Sequence, residues 1–188
     1  MKGEKEYRGQ GISYCATCEA KYYEGKDVVV IGGGNSAIEE SLFITKFAKS
    51  VTIIHQFDKL QANKTAQEKA FANPKIKIIF EHEPREFVKE GSSVRKVVIE
   101  DLNTHELKTI ECDGAFIFAG MTPNVDQFSR FFELDQWGYI KTDGKSHTNV
   151  EDVFAVGDVA SKLYRQITTA VSDGTVAAIA VAKELEAA

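Results

Sequence analysis

Proline and cysteine are scarce in this 188-residue chain, three of each, and tryptophan occurs once. So few cysteines exclude a disulfide-stapled secreted domain, and so few prolines exclude a proline-rich linker or recognition tract. No apolar run approaches the ~20 residues that a membrane-spanning helix needs. The opening MKGEKEYRGQG carries charges where a signal peptide carries its apolar stretch. Positive charge is also short: 23 Lys plus Arg stand against 28 Asp plus Glu, a net charge of -5. A nucleic-acid scaffold needs a basic face to neutralise phosphates, so that class is set aside. The expectation is a protein of a reducing compartment, cytoplasmic by default, with neither a membrane nor a nucleic acid as partner.

What is present is an ordinary globular balance of 43% hydrophobic, 27% charged and 10% aromatic residues, enough to bury a core. The length fits one full domain, or one domain with part of another. Residues 27–31 (DVVVI) form a short β-branched run that ends in three glycines, and residues 35–48 follow with helical spacing of Ile38, Leu42 and Phe43. Residues 51–54 (VTII) read as a buried strand, 64–72 as a helix and 76–80 (IKIIF) as a third strand. This β-α-β-α-β order predicts a parallel, twisted sheet covered by helices.

Between Pro84 and Cys112 the pattern changes to extended segments broken at 90–93 and 101–103, which predicts an antiparallel meander attached to the sheet. Residues 115–119 (AFIFA) read as a last buried strand. A turn-rich stretch follows, then a short strand at 153–156 and a final helix over about 166–185, whose Ala177, Ala178, Ala180 and Ala182 give a small-residue face. All three prolines, Pro74, Pro84 and Pro123, are expected in turns.

Gly32, Gly33, Gly34, Asn35, Ser36 and Ala37 fit G-x-G-x-x-A directly after a strand and at the start of a helix. The first glycine allows the tight turn and the second lets the backbone approach a pyrophosphate. Ala37 brings helix and strand close, and the helix N-terminus supplies aligned N–H groups. A dinucleotide is the natural ligand, although the same turn also serves tight packing alone. About 20 residues on, an acid would read the ribose 2′-hydroxyl of NAD and arginines the 2′-phosphate of NADP. The segment His55-Gln56-Phe57-Asp58-Lys59-Leu60-Gln61 meets neither rule: Asp58 falls late and arginine is absent.

Cys15-Ala16-Thr17-Cys18 has the spacing of a small disulfide or of half a zinc site. Cys112 is isolated and the four histidines show no paired ligand spacing, so redox use is the stronger reading and no metal is expected. Glu19, directly after Cys18, is placed to exchange a proton with a thiolate, as well as to be a solvated charge. Near the end, Gly157-Asp158 closes a strand-like run, and Arg165, Gln166, Ile167 and Ala170 open the last helix. Its N-terminus would stabilise negative charge on an electron-accepting ring, and Asp158 would accept from a sugar hydroxyl. From local sequence alone, ordinary capping and packing is the stronger reading of these residues.

Taken together, residues 11–18 (GISYCATC), 32–40 (GGGNSAIEE), 154–158 (FAVGD) and 165–178 (RQITTAVSDGTVAA) closely resemble the low-molecular-weight thioredoxin reductases, which are FAD-dependent pyridine nucleotide-disulfide oxidoreductases. The resemblance covers essentially the whole chain and extends to the flavin subunit of alkyl hydroperoxide reductase. It implies an α/β fold: a Rossmann-like three-layer nucleotide-binding domain with an antiparallel meander, plus the C-terminal part of an FAD-binding domain. It also implies an electron path from NADH or NADPH through FAD and the CxxC dithiol to a thioredoxin-like protein. Cys18 would face the flavin, Cys15 would attack the partner, and Glu19, where relatives carry aspartate, would supply the proton. His55 and Gln56 would adjoin the pyridine nucleotide. Gly157, Asp158, Arg165, Gln166, Ile167 and Ala170 would contact FAD, and Gly120 would begin one of two hinge segments, 7–12 and 120–124.

Two departures modify these expectations. The NADPH-reading arginines fall at Gln56, Phe57 and Gln61, which favours NADH, another donor or weak binding. Relatives also carry a separate glycine-rich FAD-pyrophosphate motif before the CxxC, whereas a single such motif occurs here. The expected organisation is therefore a nucleotide-binding domain over 8–120 and an incomplete FAD-domain portion over 121–188. Such a chain would be inactive alone and completed by a missing N-terminal FAD half or by a homodimer. The alternatives are a peroxide-system flavoprotein subunit and a non-catalytic dinucleotide-binding fragment or half of a split flavoenzyme.

Overall fold

Val28 and Val30 bury on one side of their strand and Val29 and Ile31 on the other, so this all-apolar run is covered on both faces. In the computed structural model, which describes residues 1–187, the strand belongs to a unit spanning Met1–Gly120. In chain order the unit comprises β1 (Ile12–Ser13), α1 (Ala16–Glu19), a 3-10 turn (Ala20–Tyr23), β2 (Asp27–Ile31), α2 (Asn35–Ile44) and β3 (Ser50–Ile54). It continues with α3 (Lys64–Ala72), β4 (Ile76–Ile79), β5 (His82–Glu90), β6 (Ser93–Asp101), β7 (Leu107–Glu111) and β8 (Gly114–Ile117). The parallel sheet has the order β1-β8-β2-β3-β4, and β5-β6-β7 form a separate antiparallel sheet.

Three layers result. Val28, Val30, Val51, Ile53 and Phe116 meet the helical side, with Ala37, Ile38, Ile44 and Ala70. Val29, Ile31, Ile54, Ala115 and Ile117 meet Phe87, Val94, Val97 and Ile99 of the meander. Phe116 is fully enclosed and takes the edge of Tyr23 at 5.2 Å between ring centres. Burying one such side chain stabilises the fold by about 1.5–3 kcal/mol.

The expected antiparallel meander is present as a three-stranded sheet of its own, packed over the parallel one. Other expectations are corrected. Pro84 lies inside edge strand β5, beside a register shift between Pro84 and Glu86, where a missing N–H is tolerated. The second helix stops at Ile44 and not at residue 48: the Thr45 hydroxyl donates back to Leu42 O at 2.7 Å, and the chain continues in turns to Ala48. Ile12 and Ser13, not read as a strand, extend the sheet by pairing with Ala115 and Phe116. The end of the expected 7–12 hinge is thereby held in the sheet.

The second unit begins at Met121. A small core of Val125, Ile140 and Ala155, flanked by Phe132, Leu134 and Val159, holds a largely irregular chain followed by α4 (Ile167–Ala187). The strand expected at 153–156 is a single bridge between Phe154 and His147, and Asp152 just before it turns the chain at φ 59. On α4, Ala177 and Ala180 are buried while Ala178 and Ala182 are exposed, so the small-residue face is narrower than expected.

Both ring nitrogens of His147 meet carboxylates: Nδ1 lies 2.9 Å from Asp143 and Nε2 2.6 Å from Glu184 of α4. Two acceptors require two N–H donors, so the ring is an imidazolium. The Asp143 and Glu184 bonds raise the His147 pKa above 6.5, while the His147 bond and the Lys145 N–H push Asp143 down to about 2. A histidine raised in the folded state contributes its full stabilisation below the unfolded value near 6.5 and loses it as pH rises through the folded value. Amide exchange in the last turns of α4 should therefore quicken from pH 6 to pH 9, and His147→Gln should remove that difference. Equal quickening in both proteins, after correction for intrinsic exchange, would contradict the latch.

Candidate functional site

The carboxyl ends of β2, β3 and β8 converge on the glycine turn. Gly32 donates its N–H to Ile54 O at 3.0 Å, and Phe118 N–H reaches Ile31 O at 2.8 Å. Gly32 adopts φ +127, and a Cβ built there would collide with the Phe118 carbonyl and stand 3.2 Å from Ala37 Cβ. Neither that dihedral nor that space admits a side chain. The sheet order reverses between β2 and β8, and crevices at such points hold ligands outside the strand ends. Gly34 is the opposite case: a Cβ there meets nothing within 4 Å, and the residue starts α2 without a side-chain cap. An open approach above uncapped helix N–H groups suits a phosphate. Ser36 is exposed and Ala37 fully buried against the strand.

The segment after β3 folds back on this turn. Gln61 N–H donates to Gly33 O at 2.8 Å, and Asn35 Oδ1 accepts from the Asn63 N–H at 2.7 Å. Asn63 also caps α3 through Ala66 N–H at 2.8 Å and reaches Glu39 at 3.1 Å. His55 is 4% exposed and lies beneath Gly33, while Gln56 is exposed. Asp58 and Lys59 are exposed and 3.9 Å apart. Two features escaped the sequence reading. Gly33 occupies a variable position of the motif, yet the His55 ring fills the space of any side chain there. Glu40 Oε2 is enclosed without a hydrogen-bond partner, and burial, with Glu39 adding to it, pushes that carboxyl up. Sequence alone does not show that one carboxyl of an EE pair is half-buried without a donor.

Cys15 and Cys18 form a disulfide, with Cα atoms 5.3 Å apart, at the start of α1. Ser13, buried in β1, accepts from the Cys15 N–H at 3.2 Å and fixes the strand-to-helix turn. Cys15 Sγ caps α1 by accepting from Cys18 N–H at 3.3 Å and lies 3.3 Å from the Thr17 hydroxyl. Cys18 is exposed, Cys15 half-buried, and Glu19 ends the same helix half-buried. Cys112 stands apart: burial pushes its thiol up to about 12, so it stays protonated and outside thiolate chemistry.

The remaining expected residues fall in the second unit, except Gly120, which closes the first. Gly157 N–H donates to Asp173 of α4 at 2.8 Å, and Lys162 pairs with the same carboxylate. Asp158 is exposed. Arg165 donates to Asp158 O at 3.3 Å and lies over the Tyr139 ring at 3.6 Å. The Gln166 N–H is taken by the Thr169 hydroxyl at 3.0 Å, and Ala170 lies against Gly157, 3.7 Å from the place of its missing Cβ. Ile167 is 84% exposed, in line with Leu163, Tyr164 and Val171, all largely uncovered. The residues of this unit fit FAD in part: Asp158 offers a sugar hydroxyl an acceptor and the start of α4 offers donors, but no second glycine-rich turn is present for the pyrophosphate.

The pattern of the pyridine nucleotide-disulphide oxidoreductases matches residues 1–174. The chain is 46% identical over 180 residues to a 34.2 kDa protein in the rubredoxin operon of Clostridium pasteurianum, covering 96% of this chain and 58% of that protein. It is 41% identical over 186 residues to the thioredoxin reductase of Bacillus subtilis, covering 99% and 59%. The crystal structure of thioredoxin reductase from Streptococcus pyogenes superposes with a TM-score of 0.92 at 39% identity, covering all of this chain and 61% of the other. The chain thus spans about three fifths of the length of the relatives it matches.

The two glycines at the ends of the motif should behave oppositely. Gly32→Ala meets a positive φ and a backbone carbonyl and should cost at least about 1–3 kcal/mol in urea unfolding. Gly34→Ala, in extended backbone and open space, should stay within about 0.5 kcal/mol. Equal effects would contradict the geometry of the turn.

Proposed function

The chain belongs to the pyridine nucleotide-disulphide oxidoreductase family, and from that premise we propose that it serves a flavin-dependent disulfide reductase of thioredoxin reductase type. The observation that carries the reading is the pairing, within one unit, of a crowded glycine turn open at Gly34 with a Cys15–Cys18 disulfide. FAD, when bound, supplies two-electron transfer between nicotinamide and disulfide. The chain's own residues do the rest. The first-turn N–H groups of α2 hold the pyrophosphate, and Gly34 lets it come close. Opening the disulfide with two electrons leaves two sulfur anions: Glu19, at the end of α1, passes one proton to the Cys18 sulfur, and Cys15 remains a thiolate. The Cys15 thiolate then attacks a disulfide of a thioredoxin-like partner, one partner sulfur leaves, and Cys18 resolves the mixed disulfide.

The donor is proposed to be NADH in preference to NADPH. The loop after β3 presents Gln56, a partly exposed Phe57 and a mutually paired Asp58 and Lys59, and no guanidinium for a 2′-phosphate. Asp158, Arg165, Gln166, Ile167 and Ala170 are proposed to border FAD together with Gly157. The uncovered Leu163, Tyr164, Ile167 and Val171 are proposed to be covered by an N-terminal FAD half or a second copy.

The test begins with the purified chain incubated with FAD and desalted. Retained flavin that NADH bleaches faster than NADPH, with two thiols appearing per chain, supports the proposal. In that case Cys18→Ser should leave the bleaching and abolish the gain of thiols. A colourless protein that still binds NADH would instead mark a dinucleotide-binding module that does no flavin chemistry alone.

A further inference from the structure

His55 holds together the two walls of the nucleotide crevice. Its ring fills the space where a Gly33 side chain would stand, with Cε1 and Cγ 2.5 Å from the ideal Cβ position, although Gly33 itself has no positive φ. The middle glycine of the turn is therefore required by the ring below it, not by its own backbone. On its other side the ring meets the loop after β3: Nε2 lies 3.0 Å from Lys59 O. A carbonyl only accepts, so Nε2 carries the proton and, in the neutral ring, Nδ1 is the bare nitrogen under Gly33. The loop is tied to the turn a second time by Gln61 N–H to Gly33 O. His55 is anchored in turn by its own N–H to Ile79 O at 2.9 Å and by Phe57 and Phe80, whose ring centres lie 5.4 and 6.5 Å away.

We propose that His55 is a positioning residue of the nucleotide site, its neutral ring setting the spacing between the glycine turn at Gly33 and the ribose-facing loop 56–61. This rests on the nucleotide reading above. A second proton would put charge under the turn and a new N–H against Gly33. Burial already opposes it and lowers the His55 pKa, with the Lys59 carbonyl acting the other way. The charged side chains of the surrounding segments give it no counter-charge. Asp58 and Lys59 pair with each other, Lys77 of β4 and Glu81 are exposed, and His82 of β5 turns to Phe80 O, Lys108 and Asp101. Protonation therefore pries the loop from the turn and weakens dinucleotide binding on the acid side.

The test measures NADH binding to the full chain from pH 5 to 8 by nucleotide fluorescence, within minutes of mixing because NADH decomposes in acid. NADPH is avoided because its 2′-phosphate titrates in the same range. Wild-type affinity should be level near pH 7.5 and fall toward about tenfold per pH unit below the titration of the ring. His55→Gln keeps a donor for Lys59 O but cannot titrate, and should bind several-fold more weakly with no pH dependence. Gly33→Ala should weaken binding about tenfold or more, and the double variant Gly33→Ala/His55→Ala should recover part of it; should Gly33→Ala not fold, the His55→Gln profile decides. A flat wild-type profile, or a folded Gly33→Ala that binds as the wild type does, overturns the inference and leaves the nucleotide reading standing. Wild type that binds no NADH at pH 7.5 overturns both.

Discussion

The first unit depends on the crowding at the end of β2. Three strand ends, a helix start and a returning loop meet around two glycines, and each contact leaves no room for a Cβ: Phe118 O and Ala37 at Gly32, the His55 ring at Gly33. Packed interiors are dense enough that one added carbon there must displace backbone. That close approach lets α2 point its N-terminus out of the sheet above Gly34, the one position of the turn with open space beside it. The open space proposed for a ligand at Gly34 thus lies beside two tightly packed glycines.

The CxxC segment depends on the same sheet. β1 is only two residues long, yet its pairing with β8 sets the buried Ser13 where it can take the Cys15 N–H, and α1 starts there. The exposed position of Cys18 follows from a helix of four residues whose apolar member, Ala16, is the one turned into the core. In the second unit polar contacts tie α4 to the chain around the small apolar core: Asp173 holds Gly157 and Lys162, and His147 joins the 143–147 turn to α4. Leu163, Tyr164, Ile167 and Val171 of this unit are largely exposed.

Where apolar periodicity was strong, the sequence was a good guide: the strands at 27–31, 51–54 and 76–79, the helix at 64–72 and the three-strand meander lie within a residue or two of expectation. The glycine turn was legible because its chemistry is local. Pro84 misled because an edge strand tolerates a missing N–H, and the run at 153–156 misled because β-propensity does not name the residues a strand pairs with. The partnership of Gly33 with His55 was illegible for a different reason. It joins residues 22 apart through a contact that neither residue type announces. The unpaired oxygen of Glu40 is likewise a property of packing and not of composition.

The central claim is that the turn at Gly32–Ala37, backed by the loop after β3, is a dinucleotide site. Its most direct test is a backbone amide NMR titration of the labelled 20.8 kDa chain with NADH. The account predicts that the largest shifts fall at Gly34, Asn35, Ser36 and Ala37 and over residues 55–61, with the meander unmoved. Shifts scattered over the meander, or none at saturating nucleotide, would contradict it.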